Sequence, residues 1–490
     1  MSTDECGCGK KRGHRDRRGS PGSATRDAIP QMRRADVDRP GRSRPAGFAA
    51  WLPVCLLAWM LPLAAQPSST LSDDGFLDLL ERKAFDYFWM EADPRNGLVR
   101  DRSTPDSKCS VAAVGFGLSG IGIAIDRGWL TREEGRARVL TTLRTFAEGP
   151  QGDAPADTIG TRGWFYHFLD MGTATRTWKC ELSSIDTALL LAGVLDMEMF
   201  FDRSHPDERR IRDLAGALVR RVDWSWMADG GETFRMGWHP EKGFIAARWT
   251  GYNEAMILYL IALGADDGSR VPGPGSDADG RRSPVTWTAW TQGYRWQTNG
   301  NHGHVGFAPL FGHQYSHCWV DFRGVADAAM RAHGLTYFEN SRRATLAQRT
   351  YCMSGPAKFP GYGPWAWGIT ASDGPTGYSA RGAPPAENDD GTLAPTAVGG
   401  SLPFAPEVCL PTLRDMAARH GDRLWGRYGF RDAYNVKAGW YATDTLGIDQ
   451  GPILLMAENH RTGAVWRRMM RHPVIQRGLA RAGFTSVNFP

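Results

Sequence analysis

Apolar and charged positions along this chain recur mostly with the spacing of helices. From Asp74 the run GFLDLLERKAFDYFWMEA sets Phe76, Leu79, Leu80, Phe85, Phe88 and Trp89 mostly along one helical stripe, with the charges opposite. Residues 110–130 predict a second helix, apolar and rich in small side chains. Thr131 and Glu134 form the T-x-x-E pair with which a helix satisfies its own first donors, opening a third helix to about Phe146. Helical spacing returns over 181–201, 208–227, 253–263, 319–333, 341–353, 405–420, 452–458 and 462–482, about eleven helices in all. No convincing run alternates with the period of two that a half-buried strand needs, so a β architecture is not expected.

The helices differ in kind. GLSGIGIAI and DTALLLAGVL are nearly all apolar, whereas others carry a polar face. No fixed repeat period runs through the chain, which argues against a solenoid. An all-α toroid of helical hairpins, the (α/α)6 barrel, fits better: inner helices apolar, outer ones amphipathic, and long loops forming a cleft at one face. The longest connection spans 361–406. A loop of that length in a compact domain is usually a lid, a binding loop or a disordered linker, and Trp365, Trp367 and Tyr378 argue against disorder. Flat rings beside Asp373, Glu387, Asp389 and Asp390 supply apolar faces for the C–H surface of a sugar and acceptors for its hydroxyls. The loop is therefore expected to line a carbohydrate cleft.

Charge sorts the N-terminus from the rest. Residues 1–47 carry 12 Lys or Arg against 6 Asp or Glu, a net +6, while the whole chain is +5. The remainder is thus near −1, and nothing in it points to nucleic acid. Residues 48–66, FAAWLPVCLLAWMLPLAAQ, hold no charge, are broken by proline and end in small residues, the pattern of a secretory signal peptide and of a periplasmic or secreted protein. Met32 would be a more ordinary start for such a peptide, and Cys55 lacks the small residue that should precede a lipoprotein anchor. Left uncleaved, this segment would be the contact with a membrane. The expected organisation is a basic, disordered leader (1–47), the signal region (48–66) and one large domain (67–490). Five cysteines lie beyond the leader and signal region, Cys109, Cys180, Cys318, Cys352 and Cys409, with no CxxC. A disulfide scaffold and a structural zinc site are not expected; buried free thiols are, although a single bridge stays open.

Four constellations carry chemistry. In WKCELSSIDTALLLAGVL, Asp186 has Leu182, Ser183, Leu189 and Leu190 as its helical neighbours. An acid on an apolar face is costly and has a raised pKa, the condition of a working carboxyl, unless a buried cation or amide satisfies it. Glu181 would lie about 140° round the same helix, so the two share a face only if Glu181 belongs to the preceding loop. In RWTGYNEAMILYLIALG, Glu254 opens an uncharged helix, flanked by Trp249 and Tyr252. A carboxyl group there could stay protonated and act as a general acid, or simply favour the helix N-terminus with Asn253 or Gly251 as cap. In WYATDTLGIDQGPILLMAENHRTG, Pro452 suits a first helical turn, with Asp444 and Asp449 just ahead of it. Two carboxylates there could hold and deprotonate a water, beside Trp440 and Tyr441 as a sugar platform; capping would account for one of them. In NGNHGHVGFAPLFGHQYSHCWVDFR, His302, His304, His313 and His317 have HxH and HxxxH spacings that could bind metal. No acidic ligand accompanies them, and Asn301, Gln314, Tyr315 and Arg323 surround them with hydrogen-bonding groups, so contacts to substrate hydroxyls are preferred over structural roles, and neither metal nor cofactor is expected.

In order from about Phe76 to Phe484, ELSSIDTALL, WTGYNEAM, FGHQYSHCWVDFR, ITASDGPTGY, APTAVGGSLPFAPE, LWGRYGF and LGIDQGPILLMAENHRTG resemble the glucoamylase-like domain family that includes bacterial endo-β-1,2-glucanases. The resemblance implies an (α/α)6 barrel and hydrolysis of a β-linked glucan, with β-1,2-glucan the first expectation. It implies a proton donor at Glu254 and acidic roles at Asp186 and Asp449. The expected mechanism is inverting: Glu254 protonates the leaving oxygen, and Asp449, with Asp444 in reserve, takes a proton from water. Asp186, Glu181 and the His313/His317 pair would orient the sugar, and Trp365 and Trp367 would stack on it. Trp249, Tyr252, Tyr315, Asp373, Tyr378 and Trp440 complete the expected contacts. Alternatives are a β-glucan transglycosylase, a polysaccharide lyase using Tyr315, His317 and Arg323, and a non-catalytic glycan-binding envelope protein. The loop-like insertion 268–284 leaves chain-length preference open.

Overall fold

The structure, a computed structural model, describes residues 71–265, 285–355 and 359–489. The leader 1–47, the segment 48–66 and the insertion 268–284 lie outside the described residues. Among these residues, helices dominate and strands run for only two to four residues. The first three helices form where their spacing places them, over Asp73–Met90, Val111–Asp126 and Arg132–Glu148. Ser72, Ser110 and Thr131 cap them, and Thr131 with Glu134 makes both bonds of the capping box.

Other boundaries move for identifiable reasons. The next helix is Ser184–Phe200, because Leu182–Ser183 pairs as a strand with Gly237–His239 and leaves Glu181 outside the helix. The segment 208–227 becomes Pro206–Arg221 and a separate turn, Trp224–Ala228, capped by Asp223. The apolar helix at 253–263 forms as Met256–Ala265, that at 341–353 starts earlier as Tyr337–Ser354, and 405–420 forms as Pro406–His420. The segment 319–333 is not one helix: only Ala328–Ala332 is helical there, capped by Asp327, after two short 3-10 turns at Leu310–His313 and Tyr315–Cys318. Residues 462–482 split into Ala464–Met469 and Pro473–Arg481. The helix expected from Pro452 starts at Gly447 and runs to Arg461, with the proline inside it. Proline has no N–H to give the carbonyl four residues back, and the Tyr315 hydroxyl donates to that Ile448 carbonyl at 3.4 Å instead.

Apolar and amphipathic helices alternate along the chain. Val111–Asp126, Ser184–Phe200, Met256–Ala265 and Gly447–Arg461 are buried on nearly all sides. They pack in a row, 256–265 against 184–200, that against 111–126, and that against 447–461. The amphipathic helices 73–90, 132–148, 206–221 and 473–481 pack against this row.

Glycine sets the spacing of the row. A Cβ on Gly115 would fall 2.2 Å from the Leu189 carbonyl oxygen, and one on Gly193 would fall 2.1 Å from that of Gly115. Gly264 and Gly478 repeat the device, at 1.8 Å from the Val474 oxygen and 2.1 Å from the Leu260 oxygen. The C-terminal ends of the row are tied by ion pairs: Arg468 meets Asp196 at 2.7 Å and Asp126 at 3.3 Å, and Arg127 meets Glu458 at 2.6 Å and Glu81 at 3.2 Å. These cations sit where helix dipoles end negative.

The 361–406 connection joins the helices Tyr337–Ser354 and Pro406–His420, and holds only a two-residue strand, Thr392–Leu393, and the short helix Pro395–Gly399. All five cysteines of the domain are free and buried, as their number suggested. No helix among the described residues is long and apolar enough to cross a membrane.

Gly193→Ala must push the two crossing backbones away from each other, and is expected to cost about 2–3 kcal/mol, the upper range for overpacking a tight core. The denaturant midpoint at unchanged slope measures it; a loss below about 0.5 kcal/mol, the size of an ordinary surface change, would show that the crossing is not tight.

Candidate active site

The N-terminal ends of the apolar helices carry the acids. Asp186 lies in the first turn of Ser184–Phe200 and Asp449 in the first turn of Gly447–Arg461, while Glu254 sits two residues ahead of Met256–Ala265. Positive helix ends favour carboxylates, and the apolar helices leave little other polar company.

Asp186 and Glu181 do come together, through a residue the sequence reading missed. Because Glu181 precedes the strand, both acids face His167: its Nδ1 lies 2.8 Å from Glu181 Oε1 and its Nε2 3.6 Å from Asp186 Oδ1. Burial pulls the imidazole down, but Asp186 and Glu181 outweigh it and hold the group up at about 9. Glu181 is pushed up by burial and pulled down further by its bond and charge with His167, to about 2. Asp186, bonded by the Ser183 hydroxyl, is raised by burial against the pull of His167.

Glu254 is the contrasting case. It is 9% exposed, its Oε2 has no hydrogen-bond partner, and burial, with the charge of Asp186 adding to it, pushes the carboxyl up to about 7. The Asn253 side chain accepts from Ala255 N at 3.0 Å and Ser316 Oγ accepts from the first-turn Ile257 N at 2.9 Å, so the helix entrance is bonded without the Glu254 side chain. The expectation that Glu254 forms the first helical turn is corrected: it stands in the loop just before it.

Asp449 meets a second missed residue, Asp432. Both carboxyls are buried, Asp432 Oδ1 and Asp449 Oδ2 have no hydrogen-bond partner among the described residues, and burial, then the charge of Asp432, raises Asp449. Burial likewise raises Asp432. Like-charged acids so placed share a proton. Asp432 Oδ2 also accepts from Asp373 N at 2.7 Å. Asp373 in turn pairs with Arg102 at 3.0 Å, and the same guanidinium lies 3.3 Å from Asp101 and 3.7 Å from Asp444. Asp444 accepts from Thr104 at 2.8 Å and Ser103 at 3.3 Å, which makes it an anchor rather than a free base. Burial, then the charges of Asp449 and Glu254 among others, push the Tyr315 phenol up, so Tyr315 stands within electrostatic reach of both acids. Asp101 likewise interacts with both Arg102 and His167. Glu254 thus lies within electrostatic reach of Asp186, and Tyr315 within reach of both Glu254 and Asp449. Tyr378, 56% exposed, interacts with Asp449, Asp432, Asp101 and Asp373.

Several expected contacts do not reach this region. Trp367 is fully buried, with its indole N–H donating to Thr412 at 3.0 Å, so it cannot stack on a sugar. Tyr252 packs between Tyr337 and His313, at 5.8 and 4.7 Å between ring centroids, as part of the core. Trp249 is buried and donates to Ser184 at 2.8 Å, bracing the helix that bears Asp186. His313 and His317 are both buried, and burial drives each imidazole down, His317 to about 3. His317 packs against Phe322 and Phe404 and is not a substrate ligand. Arg323 pairs with Asp321 at 2.6 Å and covers Trp466, so the lyase set Tyr315, His317 and Arg323 is not assembled. His304 is engaged by the His302 carbonyl and Gln297, at 2.9 and 3.0 Å. Trp365 is exposed but covered on one face by Arg349, and no described contact links it to the acids. Trp440 is half-buried on the strand Trp440–Tyr441. In the long loop, Asp389 accepts from Tyr351 and Tyr362, at 2.8 and 2.5 Å, and Asp390 pairs with Arg381 at 3.0 Å, so both brace the loop, while Glu387 is exposed.

Asp101 and Arg102 carry one overlooked signal, charge in the loop leading into an apolar helix, as Glu254 does ahead of 256–265, whereas nothing local in the sequence marks His167 or Asp432.

The family model described as "Putative glucoamylase" matches residues 246–473. A curated relative, an exo beta-1,2-glucooligosaccharide sophorohydrolase of Parabacteroides distasonis, is 32% identical over 84% of this chain, which spans 58% of that protein's length. A crystal structure from Bacteroides uniformis bearing the same description as the family model is 33% identical, with TM-score 0.75, over 85% of this chain and 98% of its own. An endo-beta-1,2-glucanase of Chitinophaga pinensis, solved with sophorotriose and glucose, is 27% identical, with TM-score 0.75, over 85% of this chain and 99% of its own.

Glu254 makes a pH prediction that needs no substrate. Its folded pKa, about 7, lies above the ordinary 4.5, so the stability it contributes is present below pH 4.5 and is lost as pH rises through 7. Glu254→Gln is expected to flatten this fall, the thermal midpoint dropping less between pH 5 and pH 8 than in the parent. Equal drops in both proteins would refute the raised pKa.

Proposed function

The chain belongs to the glucoamylase-like family, and from that premise we propose that it is a glycoside hydrolase cleaving a β-1,2-linked glucan. The observation that carries the reading is Glu254: a buried carboxyl with an unpartnered oxygen, held protonated to about pH 7, in electrostatic reach of Tyr315, which also meets Asp449. The printed activities of the Parabacteroides and Chitinophaga proteins support the linkage. The alternation of apolar and amphipathic helices supports an (α/α)6 barrel, with the row 256–265, 184–200, 111–126 and 447–461 on its inner ring. The basic leader and the uncharged segment after it support export to the periplasm or beyond; the N-terminal mass of the mature protein checks this, and an intact leader would contradict it.

In this reading Glu254 gives its proton to the leaving oxygen, directly or through a sugar hydroxyl. The Asp449–Asp432 pair retains one proton and one negative charge, and the charge takes a proton from the attacking water. Asp449 suits this task better than Asp444, which is occupied by Arg102, Ser103 and Thr104. Glu181, His167 and Asp186 form a charged rail that can bind sugar hydroxyls and, through Asp186, help keep Glu254 protonated. Inversion at the anomeric carbon is the expected stereochemistry.

Incubated with β-1,2-, β-1,3- and β-1,4-glucans and starch, the protein is expected to release reducing ends from the β-1,2-glucan, first as the α-anomer by NMR. Activity on starch alone would sink the assignment, and a β-anomer would replace inversion by retention. Glu254→Gln should lower kcat by about 10²–10⁴-fold, the usual worth of a general acid.

The alkaline limb of kcat/KM is expected near pH 7, where Glu254 loses its proton, and Asp186→Asn should move it to lower pH by removing a neighbouring negative charge. A limb that stays in place would show that Asp186 does not act on the donor.

A further inference from the structure

An aromatic path leads from the charged rail to the surface. The ring of His167, which bridges Glu181 and Asp186, stacks on Phe168 with 4.0 Å between centroids and 12° between planes. Phe168 meets Trp178 in an edge contact at 5.3 Å. Trp178 is 63% exposed, more than any other large apolar side chain among the described residues. An exposed indole backed by a second ring offers a flat face on which an apolar surface can stack.

The segment that presents it is held rigidly. The Asp170 carboxylate accepts from Gly172 N at 3.0 Å and Thr173 N at 3.2 Å, and pairs with Lys108 at 3.0 Å. Arg176 grips both oxygens of Glu241, at 2.7 and 3.0 Å, and the Cys180 carbonyl at 2.7 Å. Within this frame Trp178 and Lys179 take φ values of 56° and 54°, a left-handed conformation that is costly for residues with side chains. Strain of this kind persists only where surrounding contacts over-determine it. A rigid flat aromatic, already desolvated on one edge by Phe168, binds with little loss of side-chain freedom.

We propose that Trp178, backed by Phe168, is an outer sugar subsite that stacks on a glucosyl unit of the substrate beyond those held at the carboxylates. The assignment rests on the glucan-hydrolase reading. Its occupant is a pyranose of the same chain because the aromatic path is continuous with the rail at His167, and a pyranose offers a flat C–H face of the size of the ring. The subsite would favour longer chains over short ones.

The test uses the full chain carrying Glu254→Gln, which should bind without turnover, and calorimetry with β-1,2-linked glucooligosaccharides of two to seven units. Adding Trp178→Ala is expected to weaken binding of the longest about tenfold, with the loss shrinking as the chain shortens. Trp178→Tyr should restore most of the affinity. No loss at any length, or the same loss at every length, overturns the subsite while leaving the hydrolase reading intact. No binding of any oligosaccharide, together with no hydrolysis by the parent protein, overturns both.

Discussion

The contact between Gly115 and Gly193 is the constraint on which the rest depends. It brings the backbones of two apolar helices within a distance that no side chain could occupy, and so fixes the separation of everything mounted on their ends. Asp101, Arg102 and Ser110 lead into one of these helices, and Glu181, Ser183 and Asp186 into the other. His167 is followed by Phe168–Leu169, which pairs with Cys109–Ser110 ahead of the first helix. A shift of a methyl group's width at the crossing would therefore draw it away from both carboxylates of the second helix, at 2.8 and 3.6 Å. The ion pairs of Arg468 and Arg127 hold the opposite ends, so the row is pinned at both and cannot fan open.

Gathering buried carboxyls at one end creates an electrostatic problem, and the molecule solves it in two ways. Around His167 the answer is a cation: two acids are held by one imidazolium, and Glu181 is driven down to about 2. Around Arg102 the cation is outnumbered, by Asp101, Asp373 and Asp444 with Asp432 and Asp449 beyond them. There burial, with neighbouring negative charge adding to it, raises the Asp432 and Asp449 carboxyls. Glu254, with no cation partner among the described residues, is raised by burial to about 7. A carboxyl raised mainly by burial, a coupled acid pair and a histidinium holding Glu181 charged thus follow from one fold and three local charge balances.

Much of the fold was legible in the sequence because helical burial writes itself as a period. The amphipathic stripe at Phe76 to Trp89, the capping pair at Thr131 and Glu134, and the unbroken apolar runs before Ile125 and Leu195 all became the elements their spacing implied. The same logic misread 319–333, where aromatic residues are apolar at helical spacing but serve a core built from turns. It also made sugar platforms of Trp367 and Tyr252, since a sequence shows that a ring is present but not which of its faces meets water. Trp178 escaped notice for the converse reason: its neighbours Lys179 and Cys180 give no periodic pattern, and its exposure is set by the fold around it.

What the sequence alone determined is the set of apolar helices and the identity of the acids at their N-terminal ends, Asp186, Glu254 and Asp449, because local spacing decides both. Tertiary structure decided the partners. His167 meets Asp186 and Glu181, Asp432 meets Asp449, and Arg102 meets Asp373 across 271 residues of chain. A carboxyl's charge state depends on burial and on neighbours that are distant in sequence, so the same Asp or Glu letter can stand for an isolated buried acid, a coupled pair or a charged anchor until the fold has brought those neighbours in.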